Sequence, residues 1–429
     1  MIKLNFDYVS ESNLATFEDF TTKVKKIDSQ IRNKTGEGND FLGWYDWPEN
    51  YDKDEVEKIK AKAKEFRENY ETLVVCGIGG SYLGSNAVID ALNGLHPVDK
   101  MEIIYLGNTL SPTYVTQTLK YLENKNYCIC CISKSGTTTE TSISFRILKD
   151  HLEAKIGKEK AKNAIVCVTD KSSGALRTLC NKEGYVAFDL PSSIGGRYSV
   201  ITAVGLFPIA CAGIDIDEFL KGCLAAKKEY DNPNILENSA YQYAVARHYL
   251  NKVQGYKCEV MCSYDLNFRM FNEWWKQLYG ESEGKHETGI YPSSCVFTTD
   301  LHSLGQFIQE GSKILFETVI YVEHNDLDTI IPFDKEDLDE INYISGKTIS
   351  YVNRKAYEGT LLAHSKEGKV PNITITLDEL TPFTLGQLIY FFMKSCAMSG
   401  YLNGINPFNQ PGVQVYKNNM FHLLGKKGY

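Results

Sequence analysis

Five short apolar runs, at 73–76, 102–106, 127–132, 164–168 and 185–188, follow one another with helix-like sequence between them. A strand covered on one face alternates apolar and polar residues, whereas a run apolar throughout is covered on both. Such runs interleaved with helices are the pattern of a parallel sheet between two helical layers. Residues 231–400 repeat the plan, with helices expected at 235–252, 266–279, 301–310, 348–365 and 383–399 and strands at 258–262, 315–322 and 372–376. The expected fold class is α/β, with two three-layer αβα domains built on mainly parallel sheets, over 46–230 and 231–400. An N-terminal wrap over 1–45, with a helix at 12–31, and a C-terminal helical tail over 401–429 complete the division. A charged helix at 54–70 turns Val56, Ile59, Ala63 and Phe66 inward and is otherwise a solvated face.

Parallel sheets of this kind collect ligands at the carboxyl ends of their strands. The third run ends in Ser133-Lys134-Ser135-Gly136-Thr137-Thr138-Thr139, just before a helix expected from Thr139 onward. Short hydroxyls, free backbone N–H groups and one cation at a helix start are what a phosphate monoester requires. A plain helix cap would use only one or two hydroxyls. The first run ends in Gly77-Ile78-Gly79-Gly80-Ser81-Tyr82, which matches a dinucleotide fingerprint only in part, because Tyr82 stands where glycine is required. Gly346-Lys347-Thr348 is no P-loop, since Ile341 replaces its first glycine. Gly79, Gly80 and Ser81 suit close approach to a small ligand beside the cradle. Gly195-Gly196-Arg197 aims a permanent cation at a cleft, or pairs an acidic neighbour structurally; the motif alone does not choose.

Candidate chemistry lies further on. The helix expected to break at Gly280 carries Gln277 and, one turn later, Glu281; if helical geometry persists, both face one way. A carboxylate there, beside Trp274, Trp275 and Leu278, would be partly desolvated and a better base. Glu283 and Glu287 read as an exposed acidic loop, yet residue chemistry alone does not separate Glu281 from Glu283. Asp300 is placed to cap the helix 301–310, with His302 in its first turn off the buried stripe of Leu301, Leu304 and Ile308. Pro411 suits a helix start, with Lys417 two turns in.

The totals exclude several classes. Lys and Arg number 46 against 54 Asp and Glu, a formal net charge of −8, so no basic field invites nucleic acid. No stretch approaches a membrane span and Met1-Ile2-Lys3-Leu4-Asn5-Phe6-Asp7 has no apolar h-region, so a soluble cytoplasmic protein is expected. The 12 cysteines sit singly in apolar runs as small hydrophobes, and Cys128 and Cys131 fall on a buried strand rather than in a zinc knuckle.

Together these segments resemble a known family. Gly195-Gly196-Arg197-Tyr198-Ser199, Glu281-Ser282-x-Gly284-Lys285 and Phe408-Asn409-Gln410-x-Gly412-Val413-x-x-x-Lys417 resemble the signature segments of the phosphoglucose isomerases, in their shorter bacterial form. The cradle and Gly79-Gly80-Ser81 resemble that family's sugar-isomerase (SIS) phosphate loops. The resemblance runs from about Glu71 to the C-terminus. It implies two SIS-type domains and reversible isomerisation of D-glucose 6-phosphate and D-fructose 6-phosphate, a step of glycolysis and gluconeogenesis. By its terms Gly80, Ser81, Ser133, Lys134, Ser135, Thr137 and Thr138 bind the phosphate, while Gly196, Gln277 and Gln410 meet the rest of the substrate. Glu281 moves a proton between C1 and C2 through a cis-enediolate, Arg197 stabilises the oxyanion, and His302 and Lys417 open the ring. The family's histidine enters the neighbouring subunit's site, which implies a homodimer, and neither metal nor organic cofactor is expected. Gln414 stands where many relatives have glutamate, and Ser135-Gly136 where longer ones have a bulkier pair. Two alternatives remain open: a non-catalytic SIS-type sugar-phosphate sensor, and an isomerase of another sugar phosphate such as mannose 6-phosphate.

Overall fold

The computed structural model describes residues 2–9 and 16–429, and its strands form two five-stranded sheets. The first sheet takes β2 (Thr72–Cys76), β3 (Glu102–Leu106), β4 (Tyr127–Ile132), β5 (Ile165–Thr169) and β6 (Val186–Asp189) in the order β3-β2-β4-β5-β6, all parallel. β2, β4 and β5 are buried along their whole length, as runs apolar on both faces must be. The chain winds one way from β2 to β3 and the other way from β2 to β4, which makes the β2–β4 border the switch point. Register sharpens this: Cys76 lies opposite both Leu106 and Cys131, so the glycine loop and the hydroxyl-rich loop leave the sheet side by side.

The second sheet takes β7 (Cys258–Ser263), β8 (Tyr291–Val296), β9 (Leu315–His324) and β10 (Asn372–Glu379), with β1 (Lys3–Tyr8) antiparallel on its edge, in the order β1-β10-β9-β7-β8. Its parallel strands repeat the winding of the first sheet. Two strands differ from the sequence reading. The expected wrap contributes β1, whose alternating, half-exposed residues close the open edge at β10. The expected loop before 299 contains β8, whose Pro292, Ser293 and Ser294 give it no apolar signature; as an edge strand paired only with β7 it tolerates proline. Of the helix expected at 12–31, residues 12–15 lie outside the described residues, and the rest forms Thr16–Asp19 and Thr21–Arg32.

Helix Pro382–Leu402 runs through the core and is buried on nearly every face, in keeping with its apolar circumference. It packs on helix Ile216–Tyr230 through two glycines. A Cβ on Gly222 would stand 1.9 Å from the Phe383 carbonyl oxygen, and one on Gly386 would stand 2.1 Å from that of Phe219. Backbone thus meets backbone, and no side chain fits between. The same core supports helix Arg269–Glu283, which also packs on helix Leu83–Asn93 of the first half. That contact joins the halves beside the switch point. Gly222→Ala should therefore cost about 3 kcal/mol or more by forcing the helices apart. Gly359→Ala, in helix Ile349–Leu362 with nothing within 4 Å of its Cβ, should be neutral or stabilising. Chemical denaturation of both variants checks the contrast.

Candidate active site

The hydroxyl-rich loop forms a tight cradle. Ser133 is buried, and its Oγ accepts from Gly136 N at 3.0 Å, which turns the chain back at once after β4. Ser135 Oγ accepts from Thr137 N at 3.1 Å and lies 2.9 Å from Thr137 Oγ1. Gly136 has φ 73°, and a Cβ there would stand 2.3 Å from Leu176 N, so the sequence departure at Ser135-Gly136 is a packing requirement. Lys134 is exposed, with Nζ donating to Ser192 O at 3.2 Å. Thr138 occupies the N-cap of helix Thr139–Ile156 without a side-chain capping bond, leaving its hydroxyl free for a ligand at the positive end of a long helix.

The glycine loop beside it makes the link to the second half. A Cβ on Gly80 would stand 2.0 Å from Gly196 O, and one on Gly79, at φ 58°, would stand 3.0 Å from Gln277 Nε2. These glycines let the first sheet's loop, the Gly196–Ile201 turn and helix Arg269–Glu283 converge. Ser81 is half-buried at the same place.

Arg197 lies at the centre, with its side chain 1% exposed. Its Nε donates to Ser282 Oγ at 2.8 Å. One terminal nitrogen donates to Glu281 Oε2 at 2.9 Å and to Gln410 Oε1 at 3.0 Å. The other donates to the Pro407 and Asn409 carbonyls at 2.7 and 3.2 Å. A guanidinium has five N–H groups in a fixed fork, and all are engaged. Burial of the charge is thus compensated, and its direction is fixed. Glu281, 29% exposed, gives its second oxygen to Gln277 Nε2 at 3.0 Å. Gln277 Oε1 is buried and unpartnered, a free acceptor beside the carboxylate.

The sequence expectation that the helix breaks at Gly280 is corrected: it continues to Glu283 and is capped by Gly284. A lone glycine costs a helix only about 1 kcal/mol, and tertiary contacts override it here. The exposed-loop reading of Glu283 is corrected too, since its side chain is 0% exposed and pairs with Arg247 at 2.6 and 3.1 Å. Arg247 also binds Glu259 and Ser399, so this carboxylate is committed to a buried ion cluster. Two residues along a helix point to opposite sides, which leaves only Glu281 facing the cleft.

The helix expected at 301–310 divides into a turn, Thr299–His302, and helix Gly305–Glu310. Asp300 therefore caps no long helix; its carboxylate accepts from Val296 N at 2.8 Å and Ser303 Oγ at 2.9 Å. Leu304, expected in the buried stripe, is 44% exposed. His302 is exposed and makes no hydrogen bond to Glu281, Arg197 or Lys417 among the described residues, so one chain alone does not bring it into the cluster. Lys417 is half-buried on helix Pro411–Leu423, which starts directly after Gln410. Its neighbour Tyr416 has its phenol pKa raised by burial and then by the charges of Glu140 and Glu281.

The residues missed by sequence reasoning are Arg247, Glu259 and Ser282, together with the side chain of Lys285, whose Nζ donates to two backbone carbonyls. Burial and the Arg197 charge lower the Lys285 pKa to about 8. Ser282 and Lys285 stood in a quoted signature segment without a role, and Arg247 left a signal as a basic residue directly after the apolar stretch Tyr243-Ala244-Val245-Ala246.

A hydroxyl-lined loop joined through glycine contacts to a carboxylate, an amide and a fixed guanidinium is an arrangement suited to holding a phosphorylated ligand by one end while acting on the other. Comparison with known proteins agrees. The profile of the family described as phosphoglucose isomerase matches residues 53–426. The glucose-6-phosphate isomerase of Acetivibrio thermocellus is 50% identical over 442 aligned positions, covering 100% of this chain and 98% of that protein. A hypothetical protein of Thermus thermophilus superposes with a TM-score of 0.91 at 27% identity, over 99% of this chain and 100% of that one. A glucose-6-phosphate isomerase of Chlamydia trachomatis shares the fold at a TM-score of 0.84 and 22% identity, over 99% and 88% of the two chains. The chain belongs to the phosphoglucose isomerase family.

The two glutamates should separate cleanly on substitution. Glu283→Gln leaves Arg247 short of a buried counter-charge and should cost about 3–5 kcal/mol in thermal or denaturant unfolding. Glu281→Gln, in a partly exposed pair whose Arg197 keeps four further acceptors, should cost less than Glu283→Gln while turnover collapses.

Proposed function

We propose that the protein catalyses reversible aldose–ketose isomerisation of D-glucose 6-phosphate and D-fructose 6-phosphate, a reading supported by relatives that bear the name glucose-6-phosphate isomerase. The observation that carries this reading is the Arg197 nitrogen held between Glu281 and Gln410, one glycine contact away from the phosphate cradle. A sensor would need the cradle alone, without a base wired to a buried guanidinium.

The phosphate sits among Ser81, Lys134, Ser135, Thr137 and Thr138, with Ser133 and Gly80 shaping the loops that present them. That anchor delivers C1 and C2 to Glu281. Ring opening passes a proton to the ring oxygen and takes one from the hydroxyl, tasks for His302 and Lys417. Glu281 then carries a proton between C1 and C2 through the enediolate. The developing oxyanion replaces Gln410 or Glu281 on the shared Arg197 nitrogen, so a cation already aimed at the site meets the new charge. Gln277, whose Nε2 donates to Glu281, holds the carboxylate in place beside the substrate.

His302 reaches the cleft from a second copy of the chain, in a homodimer whose sites are shared. Its exposure, beside Leu304 and Phe307 at 44% each, supports that placement. No described helix is long and apolar enough to cross a membrane, and the reading is of a cytoplasmic enzyme.

Purified protein should convert fructose 6-phosphate in a dehydrogenase-coupled assay that reads glucose 6-phosphate; absence of turnover would refute the proposal, and a higher rate with mannose 6-phosphate would reassign the substrate. Co-expressed His302→Ala and Glu281→Gln chains should regain activity at about a quarter of all sites through mixed dimers, whereas each variant alone is inactive.

A further inference from the structure

We propose that Lys285 is a positioning residue for the proton transfer: its ammonium clamps the end of the helix bearing Glu281 to the segment that bears Gln410 and leads into Lys417. Its Nζ donates to Ser282 O at 2.9 Å and to Asn406 O at 2.6 Å. Ser282 directly follows Glu281, and Asn406 begins the stretch whose Pro407 and Asn409 carbonyls hold Arg197. Two cations therefore cross the same seam. Arg197 fastens it at the cleft and is needed there for the oxyanion; Lys285 fastens it from behind and touches no substrate.

The local chain is built to aim this lysine inward. After Gly284, Lys285 N donates to Glu283 O at 2.8 Å and Lys285 O accepts from Thr288 N at 2.9 Å, while His286 and Glu287 take left-handed φ values of 51° and 58°. The hairpin folds back on the helix end, where a Cβ on Gly289 would stand 2.7 Å from Glu283 O. A lysine just past a helix ordinarily points to water. Here its stem is half-buried and its head is spent on two main-chain oxygens.

The role follows from what substrate does to Arg197. Once the shared nitrogen turns to an oxyanion, its bond to Glu281 or Gln410 is lost, and the seam between helix and tail is weakened at the moment the carboxylate must hold its place. Lys285 keeps that seam closed independently of substrate. Its strength depends on charge, since a charged donor bonds about twice as strongly as a neutral one. The groups facing it are Arg197, Glu281, Glu283 and Cys396; burial and Arg197 lower its pKa to about 8, against the pull of the two carboxylates. The clamp is thus charged below that pH and neutral above it. Global stability does not fall through the same range: the unfolded chain keeps this proton to higher pH, so losing it favours the fold. Alkaline loss of activity from Lys285 therefore appears without unfolding.

This inference rests on the isomerase reading, and kinetics of Lys285→Met and Lys285→Arg separate the two. Lys285→Met should lower kcat on the order of 10²-fold while KM for fructose 6-phosphate moves by less than about threefold, because the cradle is untouched. Lys285→Arg, which stays charged, should recover most of kcat at neutral pH and move the alkaline limb of the kcat profile upward from that of the wild type. The proposal is overturned if Lys285→Met retains wild-type kcat, or if folded Lys285→Arg is as slow as Lys285→Met. An alkaline limb left unmoved by the arginine also overturns it, and decides the matter even where Lys285→Met fails to fold. An inactive wild type would instead refute the isomerase reading itself.

Discussion

The site depends on one guanidinium. Arg197 bonds simultaneously to the end of helix Arg269–Glu283, to the Glu281 carboxylate on that helix and to the backbone before the C-terminal helix. These partners stand 84 to 213 residues away in sequence. A buried cation without partners would be prohibitive, and one with all five N–H groups engaged is fixed in position. Fixing it costs the substrate nothing in reorganisation, which is how electrostatic stabilisation of an oxyanion works in a dry cleft. The close approach of Gly80 to Gly196 O ties this hub to the phosphate cradle. Anchor and reacting end are thereby held at a fixed separation by backbone contact rather than by flexible side chains.

The neighbouring helix end assigns two carboxylates to different tasks. Glu283 turns into the core and, with Glu259, surrounds Arg247, where it holds structure together. Glu281 turns to the cleft, partly exposed, with one oxygen on Arg197 and the other on Gln277. Chemistry needs a carboxylate that can exchange partners, and only Glu281 has that freedom.

Much of this was legible in the sequence, and the exceptions have physical reasons. The three central strands of the first sheet were readable because burial on both faces makes them apolar throughout, and the loop after β4 because its hydroxyls are concentrated in seven residues. β8 escaped because an edge strand can be polar and contain Pro292, and β1 because its pairing partner is at the other end of the chain. Gly280 looked like a helix stop, but packing on both sides of the helix outweighs its weak propensity. Residue chemistry alone did not tell Glu281 from Glu283, though the resemblance chose Glu281; the structure shows Arg247, 36 residues before Glu283, claiming the other. Lys285 stood in a signature segment, but its contacts did not show: its partners are carbonyls, and a main-chain acceptor leaves no mark in a sequence. His302 makes no hydrogen bond to the Arg197 hub, and a single sequence carries no map of contacts with a second copy.

The central claim is that Glu281 carries a proton between C1 and C2. The most direct measurement follows glucose 6-phosphate by proton NMR in deuterium oxide with catalytic amounts of enzyme. The account predicts deuterium appearing at C2 with the wild type and none with Glu281→Gln under the same conditions. Exchange at the wild-type rate in Glu281→Gln, or turnover by the wild type with no label in either sugar phosphate, would contradict it.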